Sequence, residues 1–341
     1  MPSIKKSELD RQFVSMVLRY LHNEEPSESK VSDGVQSLSA GLDPREYFLT
    51  LASSPEAKAQ ALIKSEAPLF VSPGHYYSPI VNVRELRESR DSYSRSDELN
   101  EIDYQIEKQL AFFKKISKHF GNIRFPVQQS EKFRYYFENG FYGYGDALVL
   151  SGIITELRPQ RIIEVGSGFS SAAMLDTLDH NELATACVFV DPYPDRLKSL
   201  LRPNDIARVT ILEHPVQLVD LEMFRELQSN DILFLDTTHI VKSGSDVVYE
   251  LFHILPSLNA GVIVHFHDVF DLFEYPDQWT LVDNRSWNEI YVLRAFLANN
   301  SRYEIVLLND AIAKNFGPIA SSISLDFMKN PGGGLWLRKM F

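Results

Sequence analysis

Cysteine is almost missing from this chain. Cys187 is the only one in 341 residues, which excludes a disulfide framework and a thiolate metal cluster. No segment reaches the roughly 18 consecutive apolar residues that span a bilayer. The opening stretch, MPSIKKSELDRQFVSMVLRYL, lacks the continuous apolar core of a signal peptide. The expectation is therefore a cytoplasmic protein with no membrane partner. Cationic side chains are in deficit, 34 Lys and Arg against 46 Asp and Glu for a net charge of −12. That balance argues against affinity for nucleic acid or an anionic membrane through overall charge. Internal repeats and low-complexity tracts are also lacking. With 44% hydrophobic and 23% charged residues, the chain is not wholesale disordered. Its length fits a domain of about 200 residues plus an appendage, and a homo-oligomer is left open.

What is present is organised around RIIEVGSGFSS, residues 161–171. The apolar, β-branched run 161–165 reads as a buried strand, and SSAAMLDTL from Ser170 reads as the start of a helix. The glycine turn between them aims backbone N–H groups and a helix N-terminus at a point above the strand's carboxyl end. A dinucleotide fingerprint needs a third glycine, and Ser171 stands in that place. Glu164 at the strand's end would repel a pyrophosphate. A carboxylate beside a backbone-lined cleft suits a ligand with a cationic end and a nucleoside, such as S-adenosylmethionine.

After this turn strand and helix patterns alternate, which predicts a doubly wound, mostly parallel sheet. The strands are expected over 161–165, 187–191, 209–212, 232–236, 261–266, 303–308 and 334–339, the last antiparallel. Before the turn, helices are expected over 7–22, 44–65 and 98–120, with a polar loop over 23–41. PGHYYSPI, residues 73–80, is a stiff aromatic loop, read either as packing or as a lid. Residues 1–125 form the helical appendage in this reading, and 126–341 the cofactor-binding domain.

Chemistry-bearing residues cluster at the expected carboxyl ends of strands, where open α/β sheets bind ligands. Asp191, about 20 residues beyond the turn, is placed to accept the ribose hydroxyls, with a helix cap as the alternative. Tyr193 stands by the adenine face or is a surface tyrosine. Asp236 ends ILFLDTTH and brings His239 with it; His267 and Asp268 end GVIVHFHD. Three roles stay open for this group: a histidine general base, a divalent metal site, or structure alone. His267 among the ligands argues against Mg²⁺, which prefers oxygen donors. His265, inside its strand, reads as a satisfied core histidine, and Asp246 as a helix cap. The aromatic stretch 271–287 is long for a connection and reads as a lid.

The turn carried by Glu164, Gly166 and Gly168 resembles the first motif of the class I S-adenosylmethionine-dependent methyltransferases. The likeness runs over residues 133–341. It implies a seven-stranded Rossmann-like sheet, S-adenosylmethionine as cofactor held by Gly166, Ser167, Gly168 and Ser170, and closure of the segment 142–146, with Tyr144, over the methionine end. Related O-methyltransferases carry acids after the fourth and fifth strands that bind a divalent cation. Bacterial methyltransferase-like proteins also share the blocks at 74–79, 164–171, 265–268 and 330–333. The function expected is methylation of a small molecule or saccharide on oxygen. A non-catalytic binding module and a nicotinamide-dependent oxidoreductase are the rivals.

Overall fold

In the computed structural model, which describes residues 6–22, 26–54, 70–90 and 99–341, seven strands form one sheet. They are β1 (Arg161–Val165), β2 (Ala186–Val190), β3 (Val209–Leu212), β4 (Ile232–Leu235), β5 (Ile263–Phe266), β6 (Tyr303–Leu308) and β7 (Leu335–Lys339). Their order is β3-β2-β1-β4-β5-β7-β6. Strands β1 to β5 pair in parallel, and β7 runs antiparallel to both β5 and β6. The doubly wound, seven-stranded, mostly parallel fold expected from the sequence is present. Strand order reverses between β1 and β4, so the sheet opens a crevice there.

Both faces of the sheet are buried, because β1, β4 and β5 are covered by helices on each side. One face carries Ile162, Phe234 and Ile263 under the helices Ile106–Ile116, Tyr144–Leu157 and Phe169–His180. The other carries Ile163, Leu233, Val264 and Phe266 against Phe224, Ile254 and Leu293. Side chains alternate along a strand, so Glu164 shares the face of Ile162. Glu164 is in register with Phe234, Phe234 with His265, and His265 with Trp336. The rings of Phe234 and His265 stack at 4.0 Å, and those of His265 and Trp336 lie 4.3 Å apart. His265 is fully buried in this row with neither ring nitrogen hydrogen-bonded. It is a core histidine, but not the satisfied one expected, and burial holds its pKa well down so that the ring is neutral.

Packing divides the chain into Met1–Ser78 and Pro79–Phe341. The larger unit begins well before residue 126, because the helix Ile106–Ile116 buries Leu110, Phe113 and Ile116 in the core beside the sheet. The helix expected over 98–120 is shorter and ends in a 3₁₀ turn, Ser117–His119; residue 98 lies outside the described residues. In the smaller unit the helices Lys6–His22, Glu28–Ser39 and Pro44–Ala52 bury Val14, Val17, Leu18, Val31, Leu38 and Tyr47 together. Glu28–Ser39 falls where a loop was expected. Its few apolar residues, Val31, Val35 and Leu38, are helically spaced, and Ser27 caps its first turn. Residues 55–65 of the expected helix lie outside the described residues. The rings of His75, Tyr76 and Tyr77 pack on one another in tilted pairs at 4.2–5.7 Å.

An ion network anchors the aromatic segment that leads into the helix Tyr144–Leu157. Buried Arg134 donates to Asp205 at 2.6 and 2.7 Å, to Asp176 at 2.7 Å and to Asp179 at 2.8 Å. Asp176 also accepts the backbone N–H groups of Arg134 and Tyr135. Four of the five N–H donors of one guanidinium are thereby engaged with carboxylates.

Candidate active site

The glycine turn after β1 is built for close approach. Gly166 sits at φ +79°, and a Cβ there would lie 1.8 Å from the Asp236 carbonyl oxygen. Only glycine lets β1's turn pass so near the end of β4. Asp191, just past β2, ties the turn to the neighbouring loop: it accepts the Ser167 N–H at 3.0 Å and the Tyr193 N–H at 2.7 Å. Asp191 is therefore not a cap of the helix Asp195–Leu200. Gly168 opens the helix Phe169–His180, and a Cβ on it would meet the side-chain stem of Arg196 at 3.1 Å.

Two cavities adjoin this turn and share Gly166, Asp191, Asp236 and Thr237, so they are halves of one cleft. The first, 420 Å³, lies over β2 and β4 and is walled by Pro192, Pro215, Val216 and Gln217. The second, 530 Å³, holds Ser167, Gly168 and Ser170 on one side and His239, His267 and Asp268 on the other, with Phe141, Tyr142, Trp279 and Trp287 around it.

The histidines sit in a nest of carboxylates. His239, in left-handed backbone at φ +57°, points Nδ1 at Glu289 at 2.8 Å and Nε2 at Asp236 and Asp268, each at 3.5 Å. Burial opposes its charge, but the bonds to Asp236 and Glu289 prevail and push its pKa up to about 10. His267 has Nδ1 at 3.5 Å from Asp236 and 3.4 Å from Asp268, and Nε2 at 3.5 Å from Asp146. Burial again opposes the charge, and Asp268 and Asp236 raise its pKa well above the usual range. Neither nitrogen of His267 makes an aligned hydrogen bond. Asp236 is held well below the usual carboxylate range, since the two imidazoles outweigh its burial. Asp146 moves up because burial dominates.

The structure brings together Gly166, Ser167, Gly168, Ser170, Asp191, Asp236, His239, His267 and Asp268. Three expected residues stand elsewhere. Glu164 is fully buried behind the turn, accepting the hydroxyls of Ser170 and Ser171; alternation along β1 points it at the helix and not into the cleft. Burial raises its pKa to about 8 against the opposing serine bonds. Tyr144 stacks on Phe137 at 4.3 Å beneath Lys329, and Tyr142 lines the cleft instead, its ring 5.3 Å from His267. Tyr193 is 83% exposed and lines neither cavity.

Asp246 braces the loop after β4, accepting from the Thr238 N–H and hydroxyl, while Ser245 is the cap. The carboxylates of Asp236 and Asp268 both face Nε2 of His239 and Nδ1 of His267. Among the described residues no group of three or more His, Cys, Asp or Glu side chains has the geometry of a metal centre. Glu289 is a site residue that sequence reasoning missed, since WNE after the lid carries no motif. Arg196 and Arg285 were missed too. Trp279 and Trp287 of the expected lid stretch do line the cleft.

A family model described as a methyltransferase domain matches residues 163–269, from β1 through the loop after β5. An uncharacterised protein of Archaeoglobus fulgidus is 34% identical over 172 residues, 47% of this chain and 75% of its own length. An SAH-bound methyltransferase from Podospora anserina aligns with 80% of this chain and 99% of its own at 16% identity, TM-score 0.39. For TomG, an O-methyltransferase from Streptomyces achromogenes solved with SAM, the shares are 75% and 96% at 12% identity, TM-score 0.37. The matched domain covers the glycine turn, the switch point and both histidines, and the chain belongs to the class I S-adenosylmethionine-dependent methyltransferases.

Proposed function

We propose that this methyltransferase methylates oxygen on a small molecule or saccharide, with His239 and His267 managing the acceptor's proton. The observation that carries the reading is the placement of two imidazoles and three carboxylates at the ends of β4, β5 and the helix Tyr144–Leu157, beside the glycine turn.

The cleft fits S-adenosylmethionine (SAM): Gly166 leaves backbone room no side chain would spare, and the two halves suit a nucleoside and an amino-acid tail. Pro192, Pro215 and Val216 would face the adenine, Asp191 the ribose, and the N–H groups of Phe169 and Ser170, at the start of the helix, the methionine carboxylate. Asp236 and Asp268 supply negative charge for the ammonium and sulfonium. Glu164 serves this seat indirectly, by holding the hydroxyls of Ser170 and Ser171.

When bound, SAM supplies a methyl carbon activated by its sulfonium. The protein's share is to place the hydroxyl in line and take its proton. With their raised pKa values both imidazoles hold a proton at neutral pH, so a ring accepts one only after releasing its own. A cationic ligand beside it promotes that release. Glu289, through Nδ1 of His239, fixes which nitrogen faces the cleft.

Titration with S-adenosylhomocysteine (SAH) by calorimetry tests the seat. Wild-type protein should bind, and Gly166→Ala should not. No heat from wild type at about 1 mM ligand would overturn the reading. His267→Ala and His239→Ala should keep SAH binding and lose transfer to a hydroxyl acceptor.

A further inference from the structure

The acceptor half of the cleft has an acidic floor and a cationic rim. Asp236 and Asp268 face inward, whereas Arg196 and Arg285 are the two arginines that line the cavity. Each guanidinium packs against aromatic rings. Arg196 is 3.7 Å from the centroid of Phe141. Arg285 is 4.3 Å from Trp279 and 4.9 Å from Trp287, whose planes stand at 81° to each other. Contact with a ring restrains a guanidinium without using up its N–H donors, which can still meet a carboxylate or phosphate. Asp283 stands 3.4 Å from Nε of Arg285 and is itself held by Gln278, so the terminal nitrogens of Arg285 remain available.

Position separates the two arginines. The stem of Arg196 crosses Gly168, next to the turn assigned to the cofactor's own carboxylate. Arg285 rests on Trp287, and Trp287 in turn packs on the His239 ring at 4.4 Å. An anion on Arg285 is therefore one indole away from the imidazole facing the reacting hydroxyl.

We infer that the acceptor is a hydroxylated acid, of the uronic or hydroxyaryl carboxylate kind, whose anionic group is taken by Arg285 on its Trp279–Trp287 platform while its hydroxyl faces His239 and His267. This rests on the methyltransferase reading of the same cleft. Asp283 reaches only Nε of Arg285, so a neutral acceptor would leave the terminal nitrogens without an anionic partner, which selects against it.

Binding in the presence of saturating SAH tests it, followed by quenching of the tryptophans, two of whose three members line the cleft. The probes are glucuronate against glucose and 3,4-dihydroxybenzoate against catechol. At least one acid should bind about tenfold more tightly than its neutral partner. Arg285→Gln should abolish that preference and Arg285→Lys restore part of it, with SAH affinity in both variants within about twofold of wild type. Acids that bind no better than their neutral partners, or a preference that survives Arg285→Gln, overturn the inference while SAH still binds. Failure of wild type to bind SAH overturns the underlying reading instead.

Discussion

Glu164 carries a proton that most carboxyls have lost by neutral pH. Its folded-state pKa of about 8 stands above the ordinary value of 4.5, with burial as the larger cause. Between those values the folded protein binds more protons than the unfolded chain, so this group's contribution to stability is full below about pH 4.5 and declines as pH rises toward 8. The loss is at most about 5 kcal/mol by linkage. Glu164→Gln cannot ionise, so its urea midpoint should fall less than that of wild type between about pH 5 and pH 8. Equal slopes for the two proteins would show that the carboxyl is ionised throughout. His239, with a value of about 10, makes the complementary prediction. A sulfonium beside a protonated ring should expel a proton, so calorimetry near pH 8 in buffers of different ionisation heat should show proton release with SAM and less with SAH, whose sulfur is uncharged. SAM affinity should therefore increase with pH up to about 10.

At the scale of elements, the approach to the site is fixed by an ionic anchor and an interlock. Arg134 holds the aromatic segment to Asp176 in the helix Phe169–His180 and to Asp205. Arg134→Met strands those carboxylates in the interior and should cost about 3–5 kcal/mol, read as a lowered urea midpoint. The interlock is between the start of the helix Tyr144–Leu157 and the segment Asn330 to Gly333: the Gly145 N–H donates to the Asn330 carbonyl at 2.7 Å, and a Cβ on Gly332 would fall 2.0 Å from the Asp146 carboxylate. Both blocks, YGYGD and NPGG, stood out in the sequence, but nothing in one dimension says that they meet. The same limit explains the site. Strand-end residues Asp191, Asp236, His267 and Asp268 were legible because the strand pattern and the switch-point rule fix where they emerge. Glu164 was misjudged because alternation along β1 had to be combined with knowing which face the next helix covers. Glu289, Arg196 and Arg285 reach the cleft through tertiary packing alone.

For the whole molecule, the division at Ser78 has a direct consequence. Every residue placed in the cleft, and both core layers of the sheet, lie within Pro79–Phe341. A protein consisting of residues 79–341 should therefore unfold cooperatively and bind SAH with the affinity of the full chain, as judged by calorimetry and thermal melting. Loss of binding would mean that the first 78 residues complete the site.

Strand β7 is last in sequence among the seven yet lies between β5 and β6, bonded to both. Until it docks, the flank of β5 and the flank of β6 each present unpaired amides and carbonyls along an apolar ribbon. Such open rims recruit foreign strands. A deletion of 335–339 thus does more than weaken the enzyme: it converts one sealed sheet into two adhesive edges, and the expected product is aggregate and not a soluble, less active protein.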